Sequence, residues 1–324
     1  MKYTHFYILA LVIACLAGCR GQEPTSFTVA SYNLRNANSH DASRGDGWDR
    51  RYPMIADMAR FHEFDIFGTQ ECFKHQLNDL KNALPEYDYI GVGRDDGKEA
   101  GEHSAIFYRT DRFDVIESGD FWLSETPEKP GSKGWDAVLP RICTWGHFKY
   151  KETGFEFLFF NLHMDHIGVR ARVESALLVQ EKMRELGKGL PAILTGDFNV
   201  DQTHSSYDAL VSQGVLCDAF EKAEFRYAPN GTFNNFETQN FTTSRIDHVF
   251  VSPVFTVKKY GVLTDSYRTE ENTSRDADVR DCPKEIEVKT YRARVPSDHF
   301  PVKVTLEYLS LIHISEPTRH LRIS

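Results

Sequence analysis

The chain has 324 residues, 41% of them hydrophobic, including 23 Phe, which is enough to build the core of one large domain or two small ones. Its net charge of −9 gives no sign of the basic surface that binds long stretches of nucleic acid. Apolar strand-like runs alternate with helical patterns and no internal repeat is present, which predicts an α/β architecture.

The N-terminal residues have the pattern of a targeting segment. Lys2 precedes an apolar stretch over residues 6–16, which is too short to span a bilayer as a helix. The stretch ends in Leu-Ala-Gly-Cys19, which looks like a bacterial lipobox with Cys19 as the lipidated first residue; an ordinary cleaved signal peptide is the alternative. We predict a signal peptide over residues 1–18, a tether over residues 19–26 and an extracytoplasmic protein anchored by a lipid to a membrane of the bacterial cell envelope.

Several apolar strands end at a polar side chain. FTVASY is followed by Asn33, DIFGTQ by Glu71, and FEFLFFNL by His163. Taken singly, these are equally well a turn residue, a solvated strand end and a satisfied core histidine. Taken together, they lie at strand ends, where open sheets assemble their sites. Between these strands, apolar residues at helical spacing predict helices over residues 74–84 and 170–186.

The tetrapeptide GDFN follows the apolar run over residues 191–195 and is the strongest local signal. Side chains alternate along a strand, so Asp197 and Asn199 lie on the same side if the extended geometry persists. A carboxylate can hold a metal or activate water, and a neighbouring amide can hydrogen-bond a phosphoryl oxygen without adding charge. An ordinary Asp/Asn turn after a strand is the alternative.

Three more polar residues flank the last predicted strands. Asp247 starts an apolar strand that we predict over residues 247–262, and Asp298 and His299 come just before a closing strand that ends at Tyr308. Each has an alternative explanation, since Asp247 is also suited to capping a turn and the other two to forming a loop pair.

The ordered motifs SYNLR, TQE, NLHMDH, GDFN, RIDHVFV and SDHFPV resemble the endonuclease/exonuclease/phosphatase superfamily of DNase I-like, metal-dependent phosphohydrolases. The resemblance covers residues 27–308, which we take as the catalytic domain. It implies an α/β fold, a four-layer sandwich of two facing mixed β-sheets flanked by helices. Relatives cleave DNA, RNA, phosphoinositides and sphingomyelin, so the motifs specify the chemistry better than the substrate.

The resemblance implies a role for each motif residue. Glu71 offers the oxygen ligand that Mg²⁺ (or Mn²⁺) prefers, Asn33 positions that metal or a phosphate oxygen, and Asp298 lies near the metal or supports His299. Asp197 activates or aligns the attacking water, and Asn199 holds a phosphoryl oxygen. The remaining three are catalytic candidates: Asp247 fixes the tautomer of His299, which contacts phosphate or shuttles a proton, and His163 touches phosphate or helps to protonate the leaving group.

Four further residues are candidates for binding substrate. Glu102 precedes a predicted strand and is placed to supply a second carboxylate or to be an ordinary loop residue. Arg141 suits a bidentate phosphate clamp or a structural ion pair. Asp165 and His166 follow the His163 motif and either support the site or line the pocket.

A long polar stretch over residues 264–294 leads directly into Asp298 and His299. Loops of this length are uncommon and are often functional, so one interpretation is a lid that narrows substrate choice and the other is a surface insertion.

Cys72, Cys143, Cys217 and Cys282 are widely separated and show no zinc spacing, which leaves buried thiols or up to two disulfides open. Residues 309–324 follow the closing strand, and their LSLIHISEPTR resembles a translated sequencing adapter. We exclude this tail from the fold; a native amphipathic tail is the alternative.

The leading hypothesis is therefore a lipid-anchored, Mg²⁺- or Mn²⁺-dependent phosphohydrolase that acts outside the cytoplasm on a small or terminal phosphomonoester or phosphodiester. An extracytoplasmic nuclease is the second hypothesis, and a non-catalytic binding lipoprotein is the third. Nothing in the sequence indicates a protein partner, and we expect a monomer.

Overall fold

The computed structural model describes residues 25–270, 275–276, 283, 285–286 and 288–308. The helices in these residues are α1 Ser39–Ser43, α2 Trp48–Phe61, α3 Lys74–Ala83, α4 Val169–Gly187, α5 Ser205–Val211 and α6 Ala219–Lys222. None of these helices is both long and apolar enough to cross a membrane.

The strands in the same residues are β1 Thr25–Asn33, β2 Ile66–Gln70, β3 Tyr87–Ile90, β4 Ile106–Arg109, β5 Phe113–Trp122, β6 Ile142–Tyr150, β7 Glu156–His163, β8 Ala192–Asp197, β9 Cys217–Asp218, β10 Phe225–Tyr227, β11 Asp247–Val251, β12 Thr256–Val262, β13 Tyr267–Thr269, β14 Arg275–Asp276, β15 Lys289–Thr290, β16 Arg292–Arg294 and β17 Val302–Tyr308.

Two mixed sheets form the centre of the molecule. One has seven strands in the order β10-β12-β17-β1-β2-β4-β3, and the other has six in the order β5-β6-β7-β8-β11-β9. β1 and β2 are parallel, as are β7 and β8 and also β10 and β12, whereas the other pairings within these sheets are antiparallel. The sheets face each other, and helices lie on their outer surfaces, so the predicted four-layer sandwich of an α/β protein is confirmed.

Strand alternation explains the layers. In β7, Phe157 and Phe159 point into the core between the sheets, while Leu158 and Phe160 point outward into the core under α4 and α5. The outer face of the seven-stranded sheet packs in the same way against α2 and α3. Alternate side chains of one strand therefore pack into two different hydrophobic cores, one on each face of its sheet.

The inter-sheet face changes from apolar to polar toward one edge. In β7 the sequence of inward positions runs from Phe159 through Asn161 to His163, and in β8 it runs from Ile193 to Asp197. Asn161, in the middle of this gradient, accepts hydrogen bonds from Gln70 Nε2 (2.7 Å) and Thr195 Oγ1 (3.0 Å) and donates to carbonyls of the opposite sheet. The gradient places ionisable side chains at one rim of the sandwich, above the apolar core between the sheets.

The helix predictions match the structure to within one residue at each end, but the strand predicted over residues 247–262 is wrong. It is two strands in different sheets, β11 in the six-stranded sheet and β12 in the seven-stranded one. A turn closed by the hydrogen bond from Phe255 N to Ser252 O separates them (3.1 Å). Pro253 has no N–H for a sheet ladder, so the apolar run is interrupted here and the chain crosses between layers.

The first strand begins earlier than predicted. Thr25 and Ser26 pair with Tyr308 and Glu307 of the closing strand, so these two residues belong to the sheet and not to the tether. Residues 1–24, with Cys19, and residues 309–324 lie outside the described residues. Cys72, Cys143 and Cys217 are free thiols, and Cys282 is not among the described residues.

The described parts of the insertion over residues 264–294 include a two-stranded ribbon of β13 and β16 at its base. Arg294 anchors this ribbon by donating from Nη1 to Asp46 Oδ1 (2.7 Å). None of the described residues of the insertion lines the pocket at the polar rim. The lid therefore stays a prediction.

Candidate active site

A pocket of about 470 Å³ lies at the polar rim of the sandwich. It is lined by Arg35, Asn36, His40, Asp41, Arg44, Glu71, Arg94, Glu102, Leu139, Arg141, His163, His166, Asp197, Asn199, Phe233, Asn235, Phe236, Ile246, Asp298 and His299. Its volume is in the range of small-molecule sites, roughly 300–1,000 Å³. Most of the sequence-predicted residues lie in this lining, although they come from segments up to about 230 residues apart in the chain; Asn33, Asp165 and Asp247 are not in it.

Asn33 links the two sheets at the base of the pocket. Its side-chain amide donates to Glu71 Oε1 (3.0 Å) and to Asp197 Oδ2 (2.9 Å), and its Oδ1 accepts from Arg35 N (2.9 Å). Glu71 also accepts from the backbone and side chain of Asn36 (both 3.2 Å). Because Asn33 is fully buried, it holds two carboxylates from opposite sheets in a fixed relation.

Asp247 and His299 form a buried pair beside this hub. His299 Nδ1 lies 2.8 Å from Asp247 Oδ2, and the other ring nitrogen, Nε2, lies 3.8 Å from Asp197 Oδ2. Burial lowers the pKa of His299, but the negative charges of Asp247, Asp197 and Asp298 outweigh it and raise this pKa well above its ordinary value. The predicted contact between Asp247 and His299 is present, and it fixes the orientation of a ring whose raised pKa favours the protonated form; its catalytic role stays a prediction.

His163 has the opposite electrostatic environment. Burial and the positive charges of Arg141 and Arg94 lower its pKa well below the ordinary value, so the imidazole is neutral at pH 7. Its Nε2 accepts from Asn199 Nδ2 (3.0 Å) and lies 3.5 Å from Asp197 Oδ2. A neutral ring suits contact with phosphate better than donation of a proton to a leaving group.

Asp197 is at the centre of these contacts. Burial, followed by the negative charge of Asp247, raises its pKa to about 7, although His299 acts in the opposite direction. A carboxylate with a pKa near the working pH is suited to accept a proton from water. Asp298 is likewise buried, and its pKa is raised by burial and by the negative charge of Glu71.

Asn199 reaches the pocket in a different way from the predicted one. β8 ends at Asp197, and Asn199 has a left-handed backbone (φ +51°) with its N–H bonded to Asp197 Oδ1 (2.9 Å). A turn, and not strand alternation, therefore brings the two side chains to one site. Glu71 (φ +67°) and Phe236 (φ +59°) also line the pocket with positive φ, and such backbone strain is typical of functional sites.

The four substrate-binding candidates separate into two groups. Glu102, Arg141 and His166 line the pocket, whereas Asp165 does not. Asp165 Oδ1 instead accepts from the backbone N–H groups of residues 167 and 168, and its Oδ2 lies 3.4 Å from Arg141 Nε. Burial would raise the pKa of Asp165, but these backbone hydrogen bonds hold it below its usual range. Asp165 thus holds the Arg141 side chain in position from the side that faces away from the pocket.

Sequence reasoning missed part of the pocket. Arg94, in the loop between β3 and β4, is 9% exposed and forms a short ion pair with Glu102. Phe233 is packed edge-on against the ring of His299, with 5.2 Å between ring centroids. These residues lie in loops without periodic pattern; the only available signal was the clustering of Gly, Asn and charged residues around them.

The donor atoms fit a divalent cation. Ligand atoms of Glu71, His163 and Asp197 lie within 4.8 Å of one another. Carboxylate and amide oxygens suit Mg²⁺, and the imidazole nitrogen in the same cluster also suits Mn²⁺. Asp298 is not in this cluster: Arg35 Nη1 lies 3.5 Å from Asp298 Oδ2 and 4.0 Å from Glu71 Oε2, so a guanidinium balances part of that charge.

Comparison with known proteins identifies the family and the fold. Residues 30–299 match the model of the endonuclease/exonuclease/phosphatase family. The chain belongs to this family. It is thus a hydrolase that acts on phosphoesters, and the resemblance seen in its motifs is confirmed.

Solved structures from Bacteroides thetaiotaomicron are similar to this family member. One, described as an endonuclease/exonuclease/phosphatase family protein, is 71% identical with a TM-score of 0.82 and covers 88% of this chain and 99% of its own. A mannosyl-6-phosphatase is also 71% identical, with a TM-score of 0.80, covering 86% and 99%. An uncharacterised protein of Acanthamoeba polyphaga mimivirus is 21% identical over 266 residues, and the alignment spans 71% of this chain but only 38% of that protein.

Proposed function

We propose that this chain is a divalent-metal-dependent phosphomonoesterase that removes the 6-phosphate of mannose or of a mannosyl residue. The observation that carries the proposal is the 71% identity, over 86% of this chain, with a mannosyl-6-phosphatase. At this level of identity the pocket-lining segments of the two proteins are expected to be largely shared.

The shape and charge of the pocket support a small anionic substrate. The pocket of about 470 Å³ is lined by four arginines, Arg35, Arg44, Arg94 and Arg141. Such a pocket accommodates one sugar phosphate, whereas a long nucleic acid requires an extended basic groove. The net charge of −9 points in the same direction, and no observation specifically favours the nuclease.

A bound cation, held by Glu71 with Asn33 beside it, would neutralise phosphate charge and stabilise the leaving oxygen. The chain's own residues do the rest. Asp197, with a pKa of about 7, accepts the proton of the attacking water. His299, held by Asp247, presents Nε2 toward Asp197 and the pocket and supports the developing negative charge. Neutral His163 lines the pocket, with its Nε2 held by Asn199 Nδ2 and 3.5 Å from Asp197 Oδ2.

The test is hydrolysis of mannose 6-phosphate by the purified protein. Released phosphate is measured first in excess EDTA and then after dialysis into Mg²⁺ or Mn²⁺. Glucose 6-phosphate, a dinucleotide and short DNA are assayed separately as alternative substrates. We expect activity only with the cation and a kcat/KM for mannose 6-phosphate above that for the nucleic acids. Full activity in EDTA would refute the requirement for a divalent cation. A higher kcat/KM for the dinucleotide or DNA would refute the assignment of phosphomonoesterase activity.

We also propose that the enzyme acts outside the cytoplasm, anchored by a lipid on Cys19, because Leu-Ala-Gly-Cys19 follows a short apolar segment. A Cys19→Ser variant in a bacterial host should remain unprocessed, and the wild type should carry the added mass of a lipid and sediment with membranes. A wild-type protein that stays wholly in the soluble fraction with no acyl mass would contradict the anchor. Neither result bears on the reaction.

A further inference from the structure

The inner end of the pocket carries two arginines whose hydrogen-bonding capacity is incompletely used. Arg94 is 9% exposed and Arg141 is 4% exposed, and both line the pocket. Arg94 is paired with Glu102, and its Nε lies 3.9 Å from Asp95 Oδ1; Arg141 is paired with Asp165 and with His166 Nδ1 (3.0 Å). Even so, Arg94 Nε and Arg141 Nη1 have no hydrogen-bond partner among the described residues.

A buried N–H group without an acceptor lowers the stability of the folded state. The charge of each guanidinium, however, is already balanced by a carboxylate. What the two nitrogens lack is therefore an acceptor rather than a countercharge. The positive charge of Arg94 also lowers the pKa of Arg141, after the larger effect of burial. An anion bound between them would relieve both conditions.

The same end of the pocket is closed. Behind Arg94, Glu102, Arg141 and His163, the packing against His103 and Ile142 leaves no space for a water molecule. An oxygen atom bonded to the two arginines therefore cannot carry an organic group that continues beyond them. A phosphomonoester fits this end with charged oxygens, whereas a phosphodiester has a second carbon substituent to place.

We infer that Arg94 and Arg141 form a closed seat for the terminal oxygens of a phosphate, and that this seat selects phosphomonoesters over phosphodiesters. The inference rests on the proposed function and adds the residues that set its substrate class. A phosphomonoester has three terminal oxygens that accept hydrogen bonds and a phosphodiester has two, so donors without acceptors at the seat favour the monoester.

The experiment compares 4-nitrophenyl phosphate with bis(4-nitrophenyl) phosphate, which share a leaving group and differ at the oxygen that the seat would hold. Arg94→Gln and Arg141→Gln should lower kcat/KM for the monoester by about 10- to 100-fold, the loss expected for a hydrogen bond to a charged group. The diester should change by less than threefold, so selectivity should fall at least severalfold in each variant. The inhibition constant of inorganic phosphate should rise with the loss of monoester activity.

Arg109→Gln is the matched control, because Arg109 is ion-paired with Asp111 on another face of the molecule. We expect it to leave both activities within twofold. If a Gln variant melts well below the wild type, the Lys variant at the same position, Arg94→Lys or Arg141→Lys, is measured instead. Lys keeps the positive charge but loses the planar guanidinium with its several N–H donors, so kcat/KM for the monoester should fall by less than in the Gln variant. Equal effects on both esters, or none, in variants that melt like the wild type would overturn the inference. Failure to hydrolyse mannose 6-phosphate would overturn the proposed function and leave this comparison intact.

Discussion

Arg51 offers a direct test of how the fold holds the site together. It lies in α2 and is fully buried. Its guanidinium donates to four backbone carbonyls: Asp46 O (2.9 Å), Leu34 O (2.7 Å), Arg35 O (3.1 Å) and Pro296 O (3.0 Å). Two of these follow Asn33 directly and one precedes the Ser297-Asp298-His299 segment, so one side chain ties together two loops of the active site.

The perturbation is Arg51→Met, which keeps a long side chain and removes every donor. At roughly 1 kcal/mol net for each of the four carbonyls that lose their donor, the free energy of unfolding should fall by about 3–5 kcal/mol. The cation also stacks on the rings of Trp48 (5.3 Å) and Phe236 (5.4 Å), and Phe236 lines the pocket. At roughly 2 °C per kcal/mol for a chain of this size, the melting temperature should fall by about 6–10 °C.

The assay is urea unfolding followed by fluorescence, with melting in parallel and kcat measured at a temperature where the variant is folded. We expect kcat to drop by at least tenfold as well, because the loops carrying Asn33 and Asp298 lose their common anchor. Arg50→Met is the matched control, since Arg50 is the exposed neighbour in the same helix, and its stability should change by less than about 0.5 kcal/mol. A fall in melting temperature below about 2 °C for Arg51→Met would refute this reasoning.

Three further changes test other parts of the molecule. Asp247→Asn should lower kcat by about 10- to 100-fold with little change in melting, because His299 loses its charged partner; a variant within threefold of the wild type would contradict the role of the pair. Asn161→Leu should destabilise the protein by about 3–5 kcal/mol in urea unfolding, because it breaks the buried hydrogen bonds between the sheets, and an unchanged midpoint would show that this network is neutral. Replacing residues 271–288 with a Gly/Ser linker keeps the β13–β16 ribbon and should alter the ratio of kcat/KM among sugar phosphates at least threefold while melting changes little; an unchanged ratio would mean that the insertion is not a lid.

The sequence by itself determined the elements and much of the chemistry, because both are local properties. Alternation in β1, β7 and β8 follows from apolar residues at every second position, and the polar residue at the end of each inward-facing series marks where the strand reaches the rim. Asn33, Glu71, His163 and Asp197 were therefore predictable as residue types at strand ends, and the family motifs indicated that they act together.

Only the tertiary structure decided which distant segments meet. The apolar run after Asp247 looks like one strand, yet a turn at Pro253 sends its second half to the other sheet, because sheet pairing depends on partners far away in the chain. Arg94 lies in a loop with no periodicity, and its burial beside Arg141 results from the packing of β4 and β6 into different sheets. Local pattern determines which side of a strand a residue faces, but the charge, desolvation and missing partners that make a group reactive arise only when the two sheets close over one another.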